Sequence, residues 1–297
     1  MKNNFKKLNI AIIGAGKVGS SFAFELNARG FKIKYLIDEN IKNLKKICSA
    51  LKIKFYDTYV DRNIIQDSQI IIIAVQDSRI PALLKNFRGI DLRNKFIFHT
   101  SGYFHSKMFK KLKVNRRFIG SFHPLQTFSN VSFSNQFLLR NIYFGIEGGT
   151  QLRELLIYLS KNLKSKYIII KTDDKSLYHF ACVFASNFLV SYLNILNGIL
   201  KSTSIKPVKD IKIFYPIIER TISNIKDNGL VESLTGPFAR ADLEVIKGHT
   251  RSLRKELNHL IPIYKLFGRE AIILAKNKNL KVSKDLKILS KFVNDLK

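Results

Sequence analysis

The chain has 297 residues, 46% of them hydrophobic and 25% charged, which is typical of a globular protein and excludes a disordered or collagen-like chain. At roughly 150 residues per domain, this length suggests two domains whose cores need no disulfides. The 51 basic and 22 acidic side chains give a formal net charge of +29, so nucleic acid is a class of partner to consider.

Short β-branched runs alternate with amphipathic stretches in the first part of the chain, a pattern typical of βαβ units and a mainly parallel sheet. The run at 69–75 is apolar at nearly every position, as in a central strand that is covered on both faces. The predicted strands occupy residues 8–14, 31–38, 52–56, 69–75, 95–100, 141–148 and 166–170.

Helical patterns replace the strands from Asp173 onward. They predict helices over residues 174–201, 207–227, 239–276 and 283–295. We therefore expect an α/β domain over residues 1–172, followed by an all-helical domain over residues 173–297.

Neither the cysteines nor the N-terminus indicates secretion. Cys48 and Cys182 are too few for a disulfide framework, and neither has a metal-binding spacing. The first apolar run is interrupted by Gly14, Gly16 and Lys17, too early for a signal peptide. The sequence therefore predicts a cytoplasmic protein without a metal site.

The uncharged segment 178–200 is long enough to span a bilayer, because about 20 residues suffice. Its His, Ser and Asn side chains would need partners in hydrocarbon, and the chain has no Trp for an interfacial belt. We therefore expect no membrane span.

Residues 14–19 form a glycine motif, GAGKVG, between the first predicted strand and a helix expected over 17–29. This context favours a dinucleotide site. Gly14 would permit a tight turn, Gly16 would let the backbone approach a pyrophosphate, and Gly19 would let the helix pack closely on the strand. The predicted cofactor-binding residues of the motif are Gly14, Ala15, Gly16, Lys17, Val18 and Gly19.

Asp38 ends the second predicted strand. Its carboxylate would accept hydrogen bonds from the adenosine ribose and repel a 2′-phosphate, so NAD(H) is slightly favoured over NADP(H), although Lys42 and Lys45 could partly offset the repulsion. The alternative is a glycine turn without a ligand and an aspartate that caps a helix.

The fourth predicted strand ends in a second candidate segment. Ligands of open α/β sheets lie outside the carboxyl ends of the strands, so Val75 and Gln76 are predicted to border the cofactor. Asp77 is expected to cap a helix that begins at Ser78.

Candidate substrate-binding residues follow the fifth strand and lie in the segment 120–128. Ser101 and Gly102 suit a small polar substrate, although they are also ordinary turn residues. Pro124 excludes a regular helix around His123, so we expect a loop near the site that presents His123 and Gln126. The alternative for His123 is a structural hydrogen bond.

A polar stripe lies on the uncharged helix predicted over 174–201. Lys175, His179, Ser186, Asn187 and Asn194 fall within about half of its circumference, which favours a helix that lines a cavity. The alternative is a helix–helix interface with satisfied amides.

Arg240 lies in the segment LTGPFARAD, residues 234–242, which predicts a turn followed by a helix start. Its guanidinium could bind a carboxylate through two parallel hydrogen bonds. It could equally pair with Asp242.

The motifs GxGxxG, HTSG, GSFHPLQTF, YHFACVFASN and LTGPFARAD occur in this order over nearly the whole chain. Together they resemble a family of Rossmann-like oxidoreductases whose helical C-terminal half is a domain of unknown function. That family is similar to the wider group of 6-phosphogluconate dehydrogenase, pyrroline-5-carboxylate reductase and ketopantoate reductase. The resemblance implies a doubly wound, mainly parallel Rossmann-type sheet followed by an all-helical, commonly dimerised domain.

The resemblance also implies roles for individual residues. Ser101 and Gly102 lie where the group has a substrate-binding turn, and the helix that bears Lys175 and Asn187 there supplies a catalytic lysine and asparagine. His179 stands where the dehydrogenases would place asparagine, so it becomes a further candidate for the proton donor. In addition, Ala241 replaces the glycine that is usual after the arginine of the family's R-G-D, which could alter the turn that aims Arg240.

These observations predict an NAD(P)-dependent dehydrogenase or reductase. Hydride would pass between nicotinamide and a carbonyl, imine or secondary alcohol of a small, anionic acid between the domains. His179 or Lys175 would exchange the proton, with Asn187 and Arg240 among the substrate contacts. The alternatives are a non-catalytic dinucleotide sensor or scaffold and a basic nucleic-acid-binding protein.

The basic residues are spread over every predicted element rather than gathered in one stripe, which weakens the nucleic-acid hypothesis. The helical domain offers faces rich in Leu, Ile and Phe. We therefore expect a homodimer, partly by resemblance.

Overall fold

The computed structural model describes residues 5–128, 138–205, 210–278 and 284–296. The chain divides into two compact units, residues 1–187 and residues 188–297. The boundary predicted after residue 172 marks the change from strands to helices, whereas the units divide inside the long helix that follows. The first turns of this helix belong to the first unit because Lys175 and Tyr178 bond to residues of the sheet region.

The first unit contains an eight-stranded sheet in the order β3-β2-β1-β4-β5-β6-β7-β8, in which every neighbouring pair is parallel except β6 and β7. This mainly parallel sheet with flanking helices confirms the predicted fold class. The strands are β1 (Ile10–Ile13), β2 (Ile33–Ile37), β3 (Phe55–Asp57), β4 (Ile70–Ile73), β5 (Phe96–His99), β6 (Ile119–Pro124), β7 (Tyr143–Gly148) and β8 (Lys166–Ile169). The helices are α1 (Lys17–Asn27), α2 (Ile41–Leu51), α3 (Arg62–Asp67), α4 (Ile80–Leu83) and α5 (Thr150–Asn162).

Successive side chains of the central strands enter opposite cores. Ile70 and Ile72 of β4 belong to one buried cluster, and Ile71 and Ile73 belong to the other. All four are fully buried, as expected where alternate residues point to opposite faces of a covered parallel sheet. The central position predicted for this run is therefore confirmed.

The loop predicted over residues 120–128 is wrong for its first half. Residues 119–124 form β6, which pairs with β5 in parallel and with β7 in antiparallel register. Its sequence, IGSFHP, carries small and polar residues instead of a β-branched run, so the usual strand signal is weak. Pro124 is accommodated because it is the last residue of the strand.

Helix α6 (Lys175–Lys201) runs from the first unit into the second. By length and composition alone, one helix among the described residues, Thr172–Lys201, could cross a membrane, and 6% of its most apolar window is buried. The helix is thus mostly exposed in this chain, and the expectation of no membrane span stays a prediction.

The second unit is helical in its described part. It contains α7 (Tyr215–Ser233), α8 (Gly236–Ala239), α9 (Leu243–Glu256), α10 (Ile261–Lys278) and α11 (Lys284–Asp295). Residues 207–209 and 283 of the predicted helices lie outside the described residues.

The single helix predicted over residues 239–276 is wrong. Ala241 has a positive φ of 56°, and the Asp242 side chain accepts a hydrogen bond from the Val245 backbone N–H to cap α9. Leu257, at φ −145°, separates α9 from the short 3₁₀ helix that leads into α10. A left-handed residue followed by an N-cap ends one helix and starts another, although the apolar periodicity continues across both breaks.

Candidate active site

The glycine turn joins β1 to α1. Gly14 has φ +99°, and a Cβ built on it would lie 2.5 Å from the backbone oxygen of Ala74, so this turn excludes a side chain. A Cβ on Gly19 would overlap the carbonyl oxygen of Gly14. A Cβ on Gly16, by contrast, would meet nothing within 4 Å. The turn therefore leaves open space at Gly16, beside the start of α1, where helix N–H groups attract an anion.

Asp38 follows β2 and holds the glycine turn. Its Oδ2 accepts a hydrogen bond from the Ala15 backbone N–H at 2.6 Å, and its Oδ1 accepts one from the Asn40 N–H at 2.8 Å. The carboxylate also lines the cavity described next. These bonds give Asp38 a structural task besides the ribose contact, which stays a prediction.

A cavity of about 780 Å³ lies at the carboxyl ends of β1, β2, β4, β5 and β6. The glycine turn and Asp38 form one end of its wall, and Gly102, His123 and His179 belong to another part. The lining residues are Gly14, Gly16, Lys17, Val18, Asp38, Glu39, Asn40, Ala74, Val75, Gln76, Asp77, Arg79, Thr100, Ser101, Gly102, His123, Pro124, Gln126, Phe128 and His179.

The helix cap predicted for Asp77 is wrong. Asp77 is the first residue of a 3₁₀ helix, Asp77–Arg79, whose N-cap is Gln76. Its Oδ2 instead accepts a hydrogen bond from Ser101 Oγ at 2.7 Å. Ser101 Oγ in turn accepts hydrogen bonds from two backbone N–H groups that follow it. The carboxylate thus joins the ends of β4 and β5. This contact was not predicted, because the two residues are 24 positions apart and capping preferences consider only neighbouring residues.

Lys175 lies behind this turn and is fully buried. Its Nζ donates a hydrogen bond to the backbone oxygen of Ser101 at 2.9 Å. Burial lowers the pKa of Lys175 to about 8, against the opposing charges of Glu147 and Asp77. Lys175 is not among the described residues that line the cavity, so its ammonium contacts the Ser101–Gly102 turn from the protein side.

Gly102 allows two imidazoles to approach the same backbone. A Cβ on Gly102 would lie 2.5 Å from His179 Cδ2 and 2.9 Å from His123 Nε2, and the two rings are 6.3 Å apart between centroids. Burial, and then the charges of Lys175 and His179, lower the pKa of His123 to about 3. An uncharged histidine and a second histidine therefore share this wall of the cavity.

Twelve of the predicted site residues line this cavity: Gly14, Gly16, Lys17, Val18, Asp38, Val75, Gln76, Ser101, Gly102, His123, Gln126 and His179. Ala15 and Gly19 are buried in the packing of the turn. Asn187 is exposed and bonds to Ser186. Arg240 belongs to the second unit, where it ends α8. The assigned roles of all these residues stay predictions.

Sequence reasoning missed three further groups. Glu39 and Arg79, which line the cavity, form an ion pair, and Tyr178 bonds to His123. Of these, only Glu39 could have been predicted from the sequence, because it follows Asp38 directly. Among the described residues, no group of three or more His, Cys, Asp or Glu side chains could hold a metal ion.

Residues 9–99 match the family described as NADP oxidoreductase coenzyme F420-dependent, and residues 142–271 match a domain of unknown function, DUF2520. The chain combines these two domains. The resemblance inferred from the motifs is thereby confirmed. The sequence has no significant match among curated proteins.

Solved structures share the fold. A Thermotoga maritima protein is 22% identical, with a TM-score of 0.72 over 91% of this chain and 99% of that one. A Bacteroides fragilis protein described as an NADP oxidoreductase is 21% identical, with a TM-score of 0.66 over 90% and 99%. Pyrroline carboxylate reductase of Plasmodium falciparum, with NADP bound, is 12% identical, with a TM-score of 0.57 over 97% and 100%. The chain therefore has the fold of NAD(P)-dependent oxidoreductases.

Proposed function

We propose that this protein is a nicotinamide-dependent dehydrogenase or reductase that acts on a carbonyl, imine or secondary alcohol of a small anionic acid. The observation that carries the proposal is a single cavity whose wall includes both the glycine turn with Asp38 and the two histidines beside Gly102. The open space at Gly16 fits a pyrophosphate. When bound, the nicotinamide supplies or accepts the hydride.

His179 is the residue that we assign to proton exchange. In the reducing direction, His179 would give its ring N–H proton to the substrate oxygen or nitrogen as the carbonyl or imine becomes an alcohol or amine. His179 lines the cavity, whereas the buried ammonium of Lys175 bonds to the Ser101 carbonyl. Of the two donors considered from the sequence, the geometry favours His179 and leaves Lys175 to position the Ser101–Gly102 turn.

We also propose that NADH is preferred over NADPH. Asp38 and Glu39 both line the cavity near the glycine turn, and two carboxylates there would repel a 2′-phosphate. The guanidinium of Arg79, which could attract a phosphate, is paired with Glu39 at 2.5 Å. The fold neighbour with NADP bound makes NADPH the natural competitor in the test.

The first experiment is calorimetric titration with NADH and NADPH. We expect NADH to bind more tightly, and a chain that binds neither dinucleotide at millimolar concentration would refute the proposal. A panel of small 2-oxo and imino acids would then be screened for oxidation of NADH. Binding without turnover across the panel and its reverse reactions would favour the dinucleotide sensor.

His179→Ala tests the assigned proton donor. We expect NADH affinity to be nearly unchanged and kcat to fall by about 10²–10⁴-fold, the usual contribution of general acid–base catalysis. His259→Ala is the matched control, because His259 is exposed in the second unit. A His179→Ala protein with a lower melting temperature but full activity per folded molecule would remove His179 from the mechanism.

A further inference from the structure

Tyr178 packs over Gly145 of β7 and reaches His123 on the neighbouring strand β6. In the antiparallel register of β6 and β7, His123 stands opposite Gly145. A Cβ on Gly145 would overlap Tyr178 Oη and would lie 2.9 Å from its Cζ. The missing side chain thus makes room for the phenol, whose oxygen lies 2.8 Å from His123 Nδ1.

The opposite edge of the His123 ring faces the cavity. His123 lines the cavity, and Tyr178 is not among the described lining residues. His123 Nε2 lies beside Gly102, at 2.9 Å from the position that a Cβ would take. Gly145 inside β7 and Gly102 after β5 therefore leave room on two sides of the ring, with Nδ1 toward Tyr178 and Nε2 toward Gly102 in the cavity wall.

The direction of the hydrogen bond between Tyr178 and His123 follows from the available protons. Burial raises the pKa of Tyr178 well above its usual range, so the phenol keeps its single proton. That proton has two acceptors within reach, His123 Nδ1 and the sulfur of Cys182. An imidazole nitrogen is a strong acceptor and a thiol sulfur is a weak one, so the proton is donated to Nδ1.

We propose that Tyr178 is a positioning residue that holds His123 in the tautomer protonated at Nε2, so that this part of the cavity offers an uncharged N–H donor. Such a donor selects a carbonyl or carboxylate oxygen and rejects an ammonium group at the same place. The ligand preference rests on the proposed function and deepens it, because it places a carbonyl or carboxylate oxygen of the substrate acid against His123. The tautomer itself does not depend on that function.

Nitrogen NMR of the uniformly ¹⁵N-labelled full chain tests the tautomer without any ligand. We expect His123 in the wild type to show a protonated Nε2 and an unprotonated Nδ1 between pH 6 and 8, with the signal assigned by its loss in His123→Gln. In Tyr178→Phe, which keeps the ring and removes the hydroxyl, we expect the Nδ1-protonated form to appear. Tyr103→Phe is the matched control, because Tyr103 contacts His179 and not the Nδ1 edge of His123.

The wild-type spectrum decides the tautomer even if Tyr178→Phe does not fold. A wild type protonated at Nδ1 would overturn the proposal, and so would a Tyr178→Phe protein that keeps a pure Nε2-protonated signal. Failure to bind NADH would refute the proposed function and leave this spectrum unchanged, so the two failures are distinguishable. Cys182→Ala should leave the tautomer as it is, because sulfur is the weaker acceptor.

Discussion

The two units of the chain differ in what their side chains bury. In the first unit, two clusters cover both faces of the sheet, and residues from five strand ends line one cavity. In the second unit, the main described cluster of buried residues is Ile246, Ile272, Leu289 and Val293. The first unit thus has a complete core and polar residues at a cavity, which is the arrangement expected of a catalytic domain.

The second unit leaves large apolar side chains exposed. Val190, Ile217 and Leu230 are 68%, 65% and 62% exposed. It also contains a cavity of about 300 Å³ whose lining is almost entirely apolar. The lining residues are Tyr192, Ile195, Ile199, Phe238, Leu253, Leu260, Ile263, Tyr264, Phe267, Gly268 and Ala271. Exposed apolar residues of this kind are typical of an association surface.

The largest expected effect on NADH affinity tests the assignment of cofactor binding to the first unit. Gly16→Val places its side chain in open space, so we expect the melting temperature to stay within a few degrees. NADH affinity should fall on the order of 100-fold, equivalent to about 3 kcal/mol, because the side chain occupies the place of the pyrophosphate. Calorimetry and thermal unfolding on the same sample measure both effects.

Gly19→Ala is the matched comparison at the same turn. Its Cβ would overlap the Gly14 carbonyl oxygen, so this variant should lose both stability and NADH binding. Equal melting temperatures for the Gly16 and Gly19 variants would contradict the packing described here. Unchanged NADH affinity in Gly16→Val would contradict the predicted pyrophosphate position.

The next prediction concerns the second unit and its exposed apolar residues. We expect a homodimer whose melting temperature rises with protein concentration, because association stabilises the folded state by mass action. Val190→Glu should weaken the dimer if this part of α6 is in the interface. Light scattering that shows only a 34.2 kDa species at micromolar concentration would refute the dimer. A chain that stays in solution only with detergent would instead favour a membrane span.

A smaller expected effect tests the proposed cofactor preference of the first unit. Asp38→Asn keeps an oxygen that can accept the Ala15 N–H bond while it removes the charge. We expect the ratio of NADPH to NADH affinity to rise on the order of tenfold, or about 1.4 kcal/mol. Asp38→Ser should shift the ratio in the same direction but also loosen the glycine turn. An unchanged ratio in both variants would mean that Asp38 does not meet the ribose.

Local sequence determined which parts of the fold and the site could be predicted. The glycine turn and Asp38 lie within 24 residues of one another, and their backbone requirements are visible as residue types. The seven strands with β-branched or aromatic runs were predicted for the same reason, because such side chains fit a pleated, buried surface. Strand β6 was missed because its small and polar residues are selected by the cavity and by neighbouring backbone, not by strand propensity.

Long-range contacts determined what could not be predicted. The bond between Asp77 and Ser101 joins two strand ends, and the bond between His123 and Tyr178 spans 55 positions. Gly145 leaves the space that the Tyr178 phenol needs for the second bond. This role of Gly145 is visible only once β6 and β7 are paired, because the pairing places Gly145 opposite His123. Lys175 was placed on a polar stripe by helical spacing, yet spacing does not tell whether a stripe faces a cavity or the inside of the protein.

The smallest expected effect lies in the second unit, at the turn after α8. The backbone N–H groups of Ala241 and Asp242 donate to the carbonyls of Phe238 and Pro237, which is the hydrogen-bond pattern of a helix C-terminus with a left-handed residue. Ala241 is that residue, with φ 56°.

In this left-handed conformation an L side chain at position 241 costs about 1–2 kcal/mol, whereas glycine loses only about 0.5–1 kcal/mol of extra chain entropy on folding. Ala241→Gly should therefore raise the free energy of unfolding by up to about 1 kcal/mol in urea titrations. The matched control, Ala239→Gly inside α8, should lower it by about as much. If both variants destabilise the chain, the turn after α8 is not strained at Ala241. In either case NADH affinity should stay unchanged, because the glycine turn at residues 14–19 lies in the other unit.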